Sequence, residues 1–146
     1  MSNSNFTLTL AVDQPAKQVY DAINNVAAWW HGEVIGNTNQ LNAAFTYQME
    51  TFHFSTQKIV ELVPNKKIVW LVTQSNLSFI KQTDEWTGTQ IIFEIETVNN
   101  KTQVHFTHQG LVPSVECYGA CSGGWTALIQ KSLYSLITTG KGQNVF

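Results

Sequence analysis

Apolar and polar positions alternate from Phe6 onward: Phe6, Leu8, Leu10 and Val12 are separated by Thr7, Thr9 and Ala11, the two-residue period of a half-buried strand. Asp13 is placed to cap and Pro15 to start a helix to about Asn24, with Val19, Tyr20, Ile23 and Val26 at helical spacing. A second short helix runs from about Val26 to Trp30. Gly32 and Gly36 bracket a short strand, and Asn37 to Asn42 reads as a polar loop.

Strand signals then dominate. Phe45, Tyr47 and Met49 alternate with Thr46, Gln48 and Glu50, and a turn near Thr51 to His53 leads into a run from Phe54 to Val63. Pro64-Asn65-Lys66 predicts a hairpin turn between Lys58 to Val63 and Lys67 to Thr73. The stretch Ser75 to Glu85 is mixed and polar, with Leu77, Phe79 and Ile80 inside it, and reads equally as a strand or a loop. Gly88 precedes a strand from Thr89 to Val98, and Asn99-Asn100 turns the chain into Thr102 to Gln109, where Val104, Phe106 and His108 share one face opposite His105 and Thr107. Pro113 and Ser114 begin a long helical segment to about Thr139, closed by Gly140. Strands in the middle and helices toward the ends predict an α+β domain, residues 1–146, with a helix covering one face of an antiparallel sheet.

Composition narrows the function classes. A chain of 146 residues fits one domain, and its five tryptophans, eight phenylalanines and four tyrosines can line a sizeable core or cavity. There is no arginine, and the eight lysines are scattered, so nothing forms the basic stripe that nucleic acid requires. No apolar run approaches the roughly 20 residues of a membrane span. The polar start, Met1 to Asn5, lacks the pattern of a signal peptide, so the expected compartment is the cytoplasm, without membrane association. The sequence holds no Gly-x-Ser-x-Gly elbow, phosphate loop or Gly-x-Gly-x-x-Gly. Glu94 and Glu96 share the face opposite Phe93 and Ile95, the wet one, which argues against paired catalytic carboxylates.

Cys117 and Cys121, the only cysteines, lie four residues apart on one face of the predicted helix. A disulfide inside a helix is strained and opposed by a reducing cytoplasm. A metal site needs further ligands, for which His108 is the nearest candidate, and Cys-x3-Cys is not the spacing of common zinc modules. The reading adopted is two small, buried, free thiols; no cofactor and no metal are expected.

The order of elements, with Pro15-Ala16-Lys17-Gln18-Val19-Tyr20-Asp21-Ala22-Ile23, Trp29-Trp30, Val60-Glu61-Leu62-Val63-Pro64, Trp86-Thr87-Gly88-Thr89 before Ile92-Phe93-Glu94-Ile95, Phe106-Thr107-His108-Gln109-Gly110-Leu111 and Gly124-Trp125, resembles the activator of heat-shock chaperone ATPase homologue (AHSA-type) family of the START-like, or SRPBCC, helix-grip superfamily. That resemblance covers nearly the whole chain. It implies a curved antiparallel sheet gripping the long C-terminal helix, with an apolar cavity between them, and it does not imply a reaction. Co-chaperone stimulation of a heat-shock ATPase belongs, in this family, to larger proteins with a further N-terminal domain.

On the last helix, Cys117, Cys121, Trp125, Leu128 and Ser132 form one stripe, and Tyr118, Ile129, Leu133 and Leu136 an adjoining one. Gly123 and Gly124 inside it suggest close backbone packing, a kink or room for a ligand, and packing is the reading adopted. Across the sheet, Phe45, Tyr47, Met49, Trp70, Val72, Phe93, Phe106 and His108 are assigned to the inward face. The predicted ligand-binding lining is therefore Trp30, Phe45, Tyr47, Met49, Trp70, Phe93, Phe106, His108, Cys117, Tyr118, Cys121, Trp125 and Leu128.

His108 is the ionisable member of an apolar stripe, so its imidazole needs a partner: Tyr118, a backbone carbonyl, water or a ligand. A satisfied structural histidine, a ligand contact, and a catalytic or metal role all stand open at this point. His105 and His108 point to opposite faces and do not form a chelate. His31 and His53 are each placed near the cavity mouth. The expected function is binding of a small, mainly apolar or aromatic ligand. The alternatives are a co-chaperone-like interaction module and a small lyase, cyclase or hydrolase using a cavity histidine; no catalytic residue is named, and a homodimer is left open.

Overall fold

A computed structural model describes residues 5–30, 32–51 and 53–143; the expectation placed on His31 lies outside them. Its frame is a seven-stranded sheet in the order β1-β7-β6-β5-β4-β3-β2, antiparallel throughout. The strands are β1 (Phe6–Val12), β2 (Glu33–Gly36), β3 (Ala44–Met49), β4 (His53–Val63), β5 (Lys67–Leu77), β6 (Gln90–Val98) and β7 (Lys101–Gln109). Between the edge strands β1 and β2 in sequence lie α1 (Ala16–Asn24) and α2 (Val26–Trp29). Asp13 does not cap α1, whose N-cap is Pro15 without a side-chain bond; the Asp13 carboxylate instead accepts from Lys101 Nζ at 2.9 Å.

The strands bury the face that alternation predicts: β3 buries Phe45, Tyr47 and Met49, and β7 buries Thr102, Val104, Phe106 and His108. Two features differ from expectation. The turn before β4 ends earlier, so His53 is the first strand residue, paired with Met49 across β3 and Leu77 across β5. The undecided stretch divides: β5 runs on to Leu77, and a succession of turns connects it to β6. β4 pairs with β5 through register shifts at Thr56/Gln57 and Ile59/Glu61, irregularities of the kind that bend a strand and curve its sheet.

Over the concave face lies the C-terminal helix, in three parts: α3 (Tyr118–Ala127), a π-helical stretch (Leu128–Leu133) and α4 (Tyr134–Thr139). It ends at Gly140 in the left-handed region, φ 88°. It starts at Tyr118, not at Pro113, because the backbone amides of Glu116 and Cys117 are taken by the Glu85 carboxylate at 2.7 and 3.0 Å. The wide π turn shifts the buried stripe by one position. Cys121 and Trp125 precede it, Leu128, Ile129, Ser132 and Leu133 lie in it, and Ile137, not Leu136, follows on the inside. Ser132 Oγ donates to the Trp29 carbonyl at 2.7 Å, and Gln18 Nε2 to the Ile137 carbonyl at 3.0 Å, tying this helix to α2 and α1.

Cys117 and Cys121 are joined as a disulfide, which corrects the expectation of two free thiols. Cys117 does not lie in a helix interior but is the N-cap of α3, with φ −83° and ψ 2°. The bridge therefore spans the entry turn, with Cα atoms 5.5 Å apart, within the ordinary range.

Candidate functional site: a cavity between sheet and helix

Aromatic side chains line the concave face of the sheet. Behind the wall, Phe45, Trp70, Phe93 and Phe106 pack edge-on or tilted, with centroids 5.2 Å apart for Phe45–Trp70, 5.0 Å for Trp70–Phe93 and 5.2 Å for Phe93–Phe106. Trp30, delivered by the end of α2, adds a second layer, with its ring 4.6 Å from Tyr47, 5.8 Å from Trp70 and 5.6 Å from Trp125. Edge-to-face contact of this kind favours fixed rings over a fluid core.

At one end of this layer lies a cavity of about 280 Å³, lined by Trp30, Tyr47, Met49, His53, Phe79, Trp86, Ala120, Cys121, Gly124, Trp125 and Leu128. Six of the predicted lining residues meet there: Trp30, Tyr47, Met49, Cys121, Trp125 and Leu128. The other seven do not reach it. Phe45, Trp70, Phe93 and Phe106 form the layer behind, where they are fully buried. Cys117 is buried on the far side of its disulfide. Tyr118 turns toward β1, its ring 6.4 Å from Phe6. His108 is also withdrawn, fully buried between Trp125 and Thr89.

The residues that sequence reasoning missed are Phe79, Trp86 and Ala120, while His53, expected near the cavity mouth, is part of the lining. Phe79 and Trp86 sit in the polar connection after β5, where no periodicity points to an interior face. Gly124 lines the cavity, consistent with the room-for-a-ligand alternative, while Gly123 is exposed and a Cβ there would meet nothing within 4 Å, so packing does not explain it.

The polar groups around the cavity are mostly engaged with one another. Trp125 Nε1, which can only donate, gives its hydrogen to His108 Nδ1 at 3.0 Å. His108 Nδ1 is therefore a lone pair, and the neutral ring carries its proton on Nε2. That Nε2–H donates to Thr89 Oγ1 at 2.8 Å, and the Thr89 hydroxyl donates on to the Trp86 carbonyl at 2.6 Å. Every polar atom of His108 is thus used, and burial lowers its pKa to about 3. This satisfied structural histidine fixes Trp125 and Trp86, whose rings stack 5.8 Å apart with a 7° interplanar angle.

The histidine on the cavity wall is His53. Its ring meets Tyr47 and Trp86, each at 5.0 Å, and its Nε2 lies 3.0 Å from Ser55 Oγ, which also accepts from Gln57 Nε2 at 2.6 Å. Burial lowers its pKa to about 4, so the ring is neutral near pH 7. Burial likewise raises the pKa of the Tyr47 hydroxyl. Ser55 is fully buried and is not part of the lining, so the Ser55–His53 pair does not present a nucleophile to the cavity. The indole N–H groups of Trp30 and Trp86 are buried without an acceptor. No lining residue is charged near pH 7, and among the described residues no group of three or more His, Cys, Asp or Glu side chains is placed to hold a metal ion.

A curved antiparallel sheet closed over a long C-terminal helix, with an aromatic hollow between them, defines the helix-grip class. The comparisons agree. The family model described as "Activator of Hsp90 ATPase homolog 1-like protein" matches residues 13–138, and the chain belongs to that family. Among solved structures, the Aha1 dimer from Colwellia psychrerythraea is similar at TM-score 0.76 and 23% identity, over 95% of this chain and 99% of that one. The protein SSP2350 from Staphylococcus saprophyticus is similar at TM-score 0.72 and 15% identity, over 98% of both chains. DynU16, a putative protein in the dynemicin biosynthetic locus, is similar at TM-score 0.66 and 14% identity, over 93% of this chain and 48% of that one. At these identities the likeness is one of fold. No curated protein matches by sequence. Among the described residues, no helix is long and apolar enough to cross a membrane.

Proposed function

We propose that this protein binds a small, uncharged, mainly apolar molecule in the cavity between the sheet and α3. The observation that carries the reading is the hollow itself: about 280 Å³, walled by aromatic side chains from the sheet, the α2 exit and the helix. Its size is near the lower end of small-molecule sites, which suits a compact ligand. Charge complementarity points the same way, because a charged ligand would lose its hydration and meet no opposite charge on the wall. Binding is favoured over histidine catalysis because His108 has both ring nitrogens engaged inside the protein, and His53, on the wall, pairs through Nε2 with a buried Ser55 that does not reach the cavity.

The test uses N-phenyl-1-naphthylamine, an uncharged aromatic probe that brightens in apolar surroundings. Saturable binding with one site per chain is expected, and Gly124→Leu, which places a side chain in the hollow, is expected to weaken it at least tenfold with an unchanged circular dichroism spectrum. No saturable signal with the wild-type chain, or equal affinity in the folded variant, overturns the reading.

A further inference from the structure

Two segments that are far apart in sequence meet at the rim of the cavity. One is the connection between β5 and β6, residues 78–89, which supplies Phe79 and Trp86; the other is the first part of α3, which supplies Ala120, Cys121 and Gly124. Of the lining residues, Phe79 and Ala120 are the exposed ones, one from each segment, so the mouth of the cavity lies along the seam between them.

Each segment sends a glutamate into the backbone of the other. Glu85 accepts from the Glu116 N–H through Oε2 at 2.7 Å and from the Cys117 N–H through Oε1 at 3.0 Å. Glu116 returns the contact, its Oε1 accepting from the N–H groups of Lys81 and Gln82 at 2.9 and 3.1 Å. All four bonds are charge-assisted and cross the seam. Glu85 also meets the positive end of α3, where unpaired amides favour an anion. The connection turns back into the sheet at Gly88, φ 88°, whose N–H donates to the Val72 carbonyl at 2.8 Å. The connection is tied to β5 by the Leu77 N–H on the Thr83 carbonyl at 2.8 Å and by Ser75 Oγ at 3.0 Å from Thr87 Oγ1, and Trp86 is buried, so any opening is confined to the seam beside α3, around Phe79, Lys81 and Gln82.

We propose that Glu85 and Glu116 form a reciprocal latch that holds residues 78–89 against the start of α3 and sets the rate at which a ligand enters and leaves the cavity. The proposal rests on the cavity being a binding site. A latch of this kind slows entry and exit together and leaves affinity nearly unchanged, because it is closed both before and after binding. The two glutamates are not equivalent. Glu85 uses both oxygens, so Glu85→Gln sets an amide NH₂ against a backbone N–H. Glu116 uses Oε1 alone, so Glu116→Gln keeps an acceptor in place and loses the charge.

Stopped-flow mixing with N-phenyl-1-naphthylamine, together with hydrogen–deuterium exchange of the probe-free protein, tests this on E85Q, E116Q and, as a control on the outer face of the sheet, E94Q. In E85Q the association and dissociation rates are expected to rise together, about tenfold or more, with the dissociation constant within threefold of wild type and exchange in residues 78–89 and 115–121 accelerated to match. E116Q shifts the same way by a smaller factor, and E94Q shifts neither. Unchanged probe rates in E85Q and E116Q overturn the latch whether or not exchange accelerates, as does a rise in dissociation alone with loss of affinity. If the wild-type chain binds no probe, the cavity reading fails by itself. Exchange then decides whether Glu85 and Glu116 clamp the connection, and unaltered exchange in both variants overturns that as well. Should E85Q not fold, E116Q carries the same comparison.

Discussion

Acidification should destabilise this protein in a range where its carboxylates are still ionised, because His108 is buried as a neutral ring. Folded, its ring is neutral, with Nδ1 accepting from Trp125 and Nε2–H donating to Thr89. Adding a proton would set an N–H on Nδ1 against the indole N–H, inside a fully buried site. Burial lowers the pKa from 6.5 to about 3. Between those values the unfolded chain binds a proton that the folded chain refuses, so stability rises with pH and is lost as pH falls below about 6.5. The slope approaches about 1.4 kcal/mol per pH unit, and moving from pH 8 to pH 5 removes about 2 kcal/mol through His108 alone. His53, lowered to about 4 by burial, acts in the same direction and adds up to a similar amount. Urea unfolding followed by circular dichroism at pH 8, 7, 6 and 5 measures the sum, and the same series on His108→Gln isolates one contribution. The variant should start less stable but have a pH profile flatter by about 2 kcal/mol over that range. Parallel profiles for the two proteins, or a His108 ring that nitrogen NMR finds protonated at pH 5, would refute the reasoning.

Trp125→Phe leaves His108 Nδ1 without its donor and should cost about 2–4 kcal/mol, combining an unsatisfied buried acceptor with a smaller ring; chemical denaturation measures it. Gly123→Ala should stabilise by about 0.5–1 kcal/mol, since the residue is helical and exposed and its new Cβ meets nothing within 4 Å. A loss in thermal or urea midpoint would show that the site needs glycine after all. Non-reducing mass analysis with thiol alkylation should find no free thiol in oxidised protein, and reduction should cost no more than about 2 kcal/mol, because the bridge closes a loop of only four residues' separation. A larger loss would mean that the disulfide supports more than the entry turn of α3.

The fold was legible because its central strands each bury one face. Phe45, Tyr47 and Met49, or Val104, Phe106 and His108, announce an inward side by alternation alone. The cavity was legible only in part, because alternation says which face a residue takes and not how far along the strand the hollow lies. Phe93 and Phe106 share the inward face but are covered, Phe93 by the Trp29 ring of α2 at 6.2 Å and Phe106 by the Trp125 ring of α3 at 4.7 Å. Trp86 and Phe79 reach the cavity from a connection whose path is set by Glu85 and Glu116, contacts over 31 to 35 residues that no local pattern records. The disulfide was misjudged through the helix boundary. Once Glu85 draws the amides of Glu116 and Cys117 out of the helix, Cys117 becomes a cap, and the four-residue spacing becomes bridgeable.

The same contacts explain why a hollow persists among so many aromatic side chains. Trp125 and Trp86 are the two large groups best placed to collapse into it, and both are anchored from behind: Trp125 by its N–H on His108, Trp86 by its carbonyl bond from Thr89 and by rings on either side, His53 at 5.0 Å and His108 at 4.8 Å. A purely apolar substitute for His108 would fill the same volume but would release the Trp125 indole to seek another acceptor. The polar chain from Trp125 through His108 and Thr89 to Trp86 therefore holds the wall in place, and it does so with a ring that burial keeps neutral near pH 7. In that arrangement a histidine on an apolar stripe serves the shape of the site. The wall it leaves facing the cavity is the apolar, uncharged one that the proposed ligand must match.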